Sequence, residues 1–234
     1  MKDPVSNSSS PNPSVSISTA SKASAVVPLV RLVDDDETYL QSTTFLLRMS
    51  GFEVLAYSSS KSFLELDDPQ RPGCVVLDLC MPGMNGSELH EALVEKGAHL
   101  PVIFLSGHGD VPTAMRAVKR GAVDFLVKPA DPRELIEAVR DAVERSLEAH
   151  VARQADGEAR ELVARLTAKE AAVAALVAEG LLNKQIADRL GVTVATVKMH
   201  RGNLTRKLEC RSAVAVRDVL VRAGVLEADA ARPR

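Results

Sequence analysis

The stretch VVLDLCMPGMNG, Val75 to Gly86, sets a single acid, Asp78, in an apolar run just ahead of a turn punctuated by Pro82, Gly83 and Gly86. Val75, Val76, Leu77 and Leu79 are β-branched or bulky, the composition of a strand buried on both faces in a parallel sheet. A carboxylate near the carboxyl end of such a strand is costly to desolvate unless something there uses its charge. An ordinary loop or capping aspartate is the plain alternative. The rest of the chain decides between them.

Working outward, five short apolar runs recur at near-regular intervals: Leu29–Val33, Glu53–Tyr57, Cys74–Leu79, Val102–Leu105 and Phe125–Val127. Between them lie helical patterns over Glu37–Met49, Lys61–Leu66, Ser87–Lys96 and Thr113–Arg120. A fifth pattern follows the last run, with Leu135, Val139, Ala142 and Val143 at three- and four-residue spacing. Asp110 with Pro112 and Asp131 with Pro132 read as helix starts, and Gly51, Gly97 and Gly121 as helix stops. Strand and helix alternating five times predicts an α/β fold: a five-stranded, doubly wound parallel sheet covered on both faces. Ligands of such sheets sit outside the carboxyl ends of the strands.

The remainder differs in kind. Residues 149–165 are charged and Ala-rich with a break expected at Gly157, and read as a partly helical linker. Thr167 to Glu170 has capping-box spacing and opens a new helix. After it come NKQIADRL (Asn183–Leu190), a Gly-containing turn and VATVKMHRGNLTRKL (Val194–Leu208), the pattern of a helix-turn-helix in a small all-α domain. The charge divides at the same place. From Pro28 to Ala149 there are 12 Lys/Arg against 20 Asp/Glu, and from His150 to Arg234 there are 15 against 10. A basic domain behind an acidic one makes nucleic acid the candidate partner of the second, and suggests that the acidic half restrains it.

Composition excludes several classes. No apolar stretch approaches the about 20 residues that span a bilayer. The first 27 residues hold nine serines and no apolar block, and read as a disordered tail rather than a secretory signal. Cys74, Cys80 and Cys210 show no CxxC spacing, which fits a reduced, cytoplasmic protein without a disulfide frame or zinc site.

The strand ends collect polar groups along one sheet edge: Asp34, Asp35 and Asp36 after the first strand, Asp78 at the third, Ser106 at the fourth and Lys128 at the fifth. Converging carboxylates repel unless a cation sits among them, and oxygen-only donors favour Mg²⁺ over zinc. A nucleophilic acid, a hard cation, an ammonium and a hydroxyl together suit phosphoryl transfer.

VDDDETYL, VVLDLCMPGMNG, PVIFLSGHGDVPTAMRAVKRGAVDFLVKP and NKQIADRLGVTVATVKMHRGNLTRKL together resemble a two-component response regulator of the NarL/FixJ family, a flavodoxin-like receiver followed by a LuxR-type helix-turn-helix. The resemblance covers about Pro28 to Val225 and implies limits of 1–27 for the tail, 28–148 for the receiver, 149–162 for the linker, 163–227 for the helix-turn-helix domain and 228–234 for a second tail. It makes Asp78 the acceptor of a phosphoryl group from a sensor histidine kinase. Asp34, Asp35 and Asp78, with the backbone carbonyl of Cys80, become Mg²⁺ ligands, and Asp36 a bystander. Ser106 and Lys128 hold the phosphoryl oxygens, Phe125 is the switching aromatic, and Lys128-Pro129 is a peptide bond often cis in receivers. DNA, a second phosphorylated copy and RNA polymerase follow as partners. Two departures stand out: Ala130 where Phe or Leu is common, and Arg31 inside the first strand, a place for a charge only if it snorkels outward.

In the second domain Val197, Leu204 and Leu208 share a helical face expected to pack on Ile186, Ala187 and Leu190. The other face carries Lys198, Met199, Gly202, Asn203 and Arg206 toward a DNA groove. Lys184, Thr193 and Thr196 stand at helix starts, suited to phosphate. The resemblance places base reading around Lys198, Met199 and Gly202. Gly202 serves close approach either to DNA or to a neighbouring helix, and Arg201 points either inward or to phosphate. The chain is read as a transcription regulator and not an enzyme. The rival is an aspartyl phosphohydrolase, which commonly needs a second acid two residues after the nucleophile, where this chain has Cys80. A redox role for Cys80 is the lesser alternative, since the expected role uses only its carbonyl.

Overall fold

The computed structural model describes residues 26–107 and 123–227. Five parallel strands form one sheet: β1 (Leu29–Val33), β2 (Glu53–Tyr57), β3 (Gly73–Asp78), β4 (Val102–Ser106) and β5 (Asp124–Val127), in the spatial order β2-β1-β3-β4-β5. Helices α1 (Glu37–Met49), α2 (Ser60–Leu66) and α3 (Gly86–Glu95) lie between successive strands, and α4 (Pro132–Ala164) follows β5. The helix expected over Thr113–Arg120, with Asp110, Pro112 and Gly121, lies outside the described residues.

Every residue of β1, β3 and β4 is buried, as their unbroken apolar composition requires. Alternation sorts their side chains into two cores. Val30, Leu32, Val76 and Ile103 pack with Leu47 of α1 and Val139 of α4. Val33, Val75, Leu77 and Phe104 pack with Phe63 of α2 and Leu89 of α3. Gly73 lets β3 enter the sheet: at φ +147° a Cβ there would lie 1.8 Å from the carbonyl oxygen of Leu29. Its N–H donates to Ser146 Oγ of α4 at 3.0 Å, which pins that helix to the start of the strand.

Arg31 does not snorkel. It is 0% exposed. Its Nε donates to both carboxylate oxygens of Asp67 at 2.8 and 2.7 Å, and Nη2 donates to the carbonyls of Asp68 and Arg71 at 2.6 and 3.0 Å. The chain between α2 and β3 folds over β1 and supplies these acceptors, and only such saturation makes a buried guanidinium tolerable. Tyr57 adds its hydroxyl to Asp67 at 3.0 Å; burial first, and then this bond, push the phenol up to about 12.

The break expected at Gly157 is not there. Helix α4 starts where Asp131 caps it and Pro132 opens it, and runs for 33 residues without interruption. A helical glycine costs about 1 kcal/mol against alanine, which Ala155, Glu158, Ala159 and Arg160 around it offset as good helix formers. Leu135, Val139 and Ala142 seat its first half on the sheet, while Leu162 and Val163 near its end pack on the core of the second half of the chain.

That second core is built by α5 (Ala168–Ala178), α6 (Asn183–Leu190), α7 (Val194–Lys207) and α8 (Ala213–Arg222) around Val173, Val177, Ile186, Val197, Leu204 and Val216. The capping box at the start of α5 forms as read: Glu170 N donates to Thr167 Oγ1 and Thr167 N donates to Glu170 Oε2. Leu208, Ile186 and Ala187 are buried with Val197 and Leu204 as expected, but Leu190 is 37% exposed. The first buried side chain of α7 is Val197, one turn into that helix, which leaves the last turn of α6 less to pack against. Among the described residues no helix is long and apolar enough to cross a membrane.

Candidate functional site

The sheet order brings the strand ends read from the sequence to one edge. β1 and β3 are neighbours with Val33 opposite Leu77, so Asp34 and Asp78 emerge side by side where the strand order reverses. β4 follows with Leu105 opposite Asp78, and β5 with Val127 opposite Ser106, which delivers Ser106 and Lys128 to the same edge. Carboxylate oxygens of Asp34, Asp35 and Asp78 all lie within 4.8 Å of one another. Asp36 stays out of this group, its side chain capping α1 by accepting from the N–H of Thr38 and Tyr39.

Lys128 ties the corner together. Its Nζ donates to Asp78 Oδ1 at 2.7 Å and to Asp34 Oδ2. Its own N–H donates to the Ser106 carbonyl at 2.8 Å, and the Lys128-Pro129 bond is cis. Burial pulls the ammonium toward neutrality, but hydrogen bonds to Asp34 and Asp78 outweigh it and hold its pKa above the ordinary lysine value. Burial raises Asp34 above the usual carboxylate range against the pull of Lys128. Asp78 Oδ2 accepts from Cys80 N at 2.8 Å, which turns the chain back over the carboxylate. Hard oxygen donors converging around buried Asp34 and Asp78, with exposed Asp35 open to water, are a donor set that fits a divalent cation. Ser106 is buried beside them, and Phe125 is half-buried against the core on the α2–α3 side.

Two contributors escaped the sequence reading. The Lys128 ammonium lies 4.6 Å from the centroid of the Tyr39 ring, a cation–π contact that fixes it from the α1 side. At Gly86 a Cβ would sit 2.3 Å from the Asp78 carbonyl oxygen, so the start of α3 touches the strand end that presents the acid. Neither pairing is local in sequence, and only the folded sheet brings them together.

In the helical half, Lys198, Met199, Gly202 and Arg206 are exposed along one side of α7, with Met199 at 55%. Arg206 Nη2 donates to Asn203 Oδ1 at 2.8 Å on that same side. Lys184 is exposed in the first turn of α6. Thr193 caps α7 through Thr196 N at 3.1 Å, and the two hydroxyls bond each other at 2.8 Å. Arg201 points inward, donating to Asn183 Oδ1 at 2.8 Å and joining α7 to the start of α6. A Cβ at Gly202 would meet nothing within 4 Å, so helix packing does not require this glycine.

Comparison with known proteins agrees with both halves. Residues 30–140 match the response regulator receiver domain, and residues 164–220 match the luxR family of bacterial regulatory proteins. The chain is 41% identical to nodulation protein W of Bradyrhizobium diazoefficiens over 79% of this chain and 81% of that one. It is 40% identical to the transcriptional regulatory protein FixJ of Azorhizobium caulinodans over 87% and 97% of the two chains. Among solved structures, response regulator StyR is similar with a TM-score of 0.76 and 39% identity, covering 82% of this chain and 98% of that one. An acidic corner on a receiver sheet, a basic helix-turn-helix and relatives matched across both make the chain a member of the NarL/FixJ family of two-component response regulators, a receiver joined to a LuxR-type domain that acts on DNA.

Proposed function

We propose that Asp78 is the phosphoryl acceptor of this regulator and that its modification by a sensor histidine kinase controls DNA binding. The observation that carries this is the mutual approach of Asp34, Asp35 and Asp78 within 4.8 Å, bridged by Lys128 at the carboxyl edge of the sheet. In the transfer, a carboxylate oxygen of Asp78 attacks phosphorus, the bond from phosphorus to the kinase histidine breaks, and an acyl phosphate forms. Lys128 then exchanges its contact with the Asp78 carboxylate for one to the new phosphoryl oxygens, and Ser106 donates to another. Asp34, Asp35, Asp78 and the carbonyl of Cys80 would hold Mg²⁺, whose charge would make the crowded oxygens tolerable. Movement of Ser106 and Phe125 alters the adjoining receiver surface, two copies pair, and two helix-turn-helix units reach successive half-sites.

On DNA, Lys198, Met199 and Gly202 face the bases, while Lys184, Thr193, Thr196, Asn203 and Arg206 serve the backbone and the rim of the groove. The regulator works in the cytoplasm, engages RNA polymerase at its promoters and turns over no substrate. The limits proposed are 28–148 for the receiver, 149–162 for the linker and 163–227 for the DNA-binding domain, in keeping with the two matched regions. Incubation with acetyl phosphate and Mg²⁺ tests the reading. Wild type takes up one phosphoryl group and releases no stream of product, whereas Asp78→Asn takes up none. Labelling of Asp78→Asn at the wild-type level assigns the acceptor elsewhere, and sustained turnover of a phosphate ester makes the chain a hydrolase.

A further inference from the structure

At the amino edge of the sheet, opposite the acidic corner, the loops into β3 and β4 and one turn of α4 enclose a cleft of about 240 Å³. Its polar lining is Gln70 from the first loop, His99 from the second, and His150, Arg153 and Gln154 from α4. Among the described residues none of these five side chains is engaged in a hydrogen bond or ion pair, and no carboxylate lines the cleft. His150 Nε2 is shut off from solvent with no partner at all. A buried imidazole nitrogen left in this way is a standing cost that a ligand group can remove.

We infer that this cleft binds a small phosphate-bearing anion. Donors converge on it from three walls, as a tetrahedral oxyanion requires, and a guanidinium is the side chain best shaped to grip one. At about 240 Å³ the cleft falls below the about 300–1,000 Å³ of ordinary ligand pockets, a size that suits orthophosphate or its ester with a very small alcohol. The site is preformed on the receiver side, because Arg31 holds the carbonyls of Asp68 and Arg71 and so fixes the Pro69–Gln70 wall from beneath. The other wall is the helix that continues into the DNA-binding half. A bound anion therefore favours the placement of this turn of α4 against the two loops that forms the cleft.

The test is amide chemical-shift mapping on the full chain, titrated with inorganic phosphate in one arm and glycerol 3-phosphate in the other. Saturable shifts are expected at Gln70, Gly97, His99 and Gln154. Arg153→Gln, a change at an exposed position, weakens them by about tenfold or more, the loss of one charge-assisted hydrogen bond. His150→Gln weakens them also. The arm that binds more tightly distinguishes the free anion from an ester. The inference falls if neither compound shifts these amides saturably, or if Arg153→Gln binds as wild type does.

Discussion

Gly202 shows at the scale of one residue how stability and function can pull apart. Its Cβ position opens on empty space, so Gly202→Ala should stabilise the free protein by up to about 1 kcal/mol, the helix-propensity difference. The added methyl stands on the exposed side of α7 and should weaken operator binding. Urea denaturation and a DNA titration on one preparation read both signs, and a variant neither more stable nor weaker on DNA would remove Gly202 from the reading face. Arg31 and Asp67 offer the contrasting case, a pair with 0% and 3% side-chain exposure at 2.7 Å. Asp67→Ala leaves the guanidinium buried and unpaired and should cost about 3–5 kcal/mol in denaturant unfolding. Asp34, Asp78, Ser106 and Lys128 were legible because each terminates an apolar run, a pattern local in sequence. Tyr39, Gly86 and the partners of Arg31 were not, because their contacts join segments that only the sheet order makes adjacent.

At the scale of elements, the strands and most helices could be read from period and punctuation, down to the Thr167–Glu170 capping box. Leu190 was misread because its spacing is right for a core position while α7 buries nothing before Val197. The same capping box gives the helical half an acid-sensitive joint. Lys207 Nζ donates to Glu170 Oε2 at 2.6 Å, tying α7 to the start of α5. That bond first, and then the Thr167 backbone, lower Glu170 from its ordinary 4.5 to about 2. A depressed acid stabilises the fold above its unfolded pKa, so this contribution is complete above about pH 4.5 and fades as pH falls toward about 2. Glu170→Gln should lower the melting temperature of the helical half at neutral pH and by progressively less as pH falls through this window. A constant difference across it would show that the pair carries no such linkage.

On the scale of the whole molecule, the acidic and basic halves read from charge alone correspond to the sheet and the helical bundle. The restraint that the charge division suggested does not take the form of occlusion here, because Lys198, Met199, Gly202 and Arg206 are all exposed. What joins the halves is α4, unbroken where a partly helical linker with a break at Gly157 is expected from the sequence. A continuous helix makes linker length a matter of angle. One residue added to α4 turns everything beyond it through about 100° and advances it about 1.5 Å, whereas seven bring the heading back to within about 20° and advance it about 10 Å. The helix is a drive shaft, and the DNA-binding half is keyed to it. An alanine inserted near Ala152 should spoil binding to a two-half-site operator while sparing binding to a single half-site. A seven-residue helical insertion should recover much of the loss, and equal binding by both insertions would mean that the shaft slips. Receivers exchanged between such proteins would then be compatible by helical phase, counted in turns from the last strand, more than by the likeness of their surfaces.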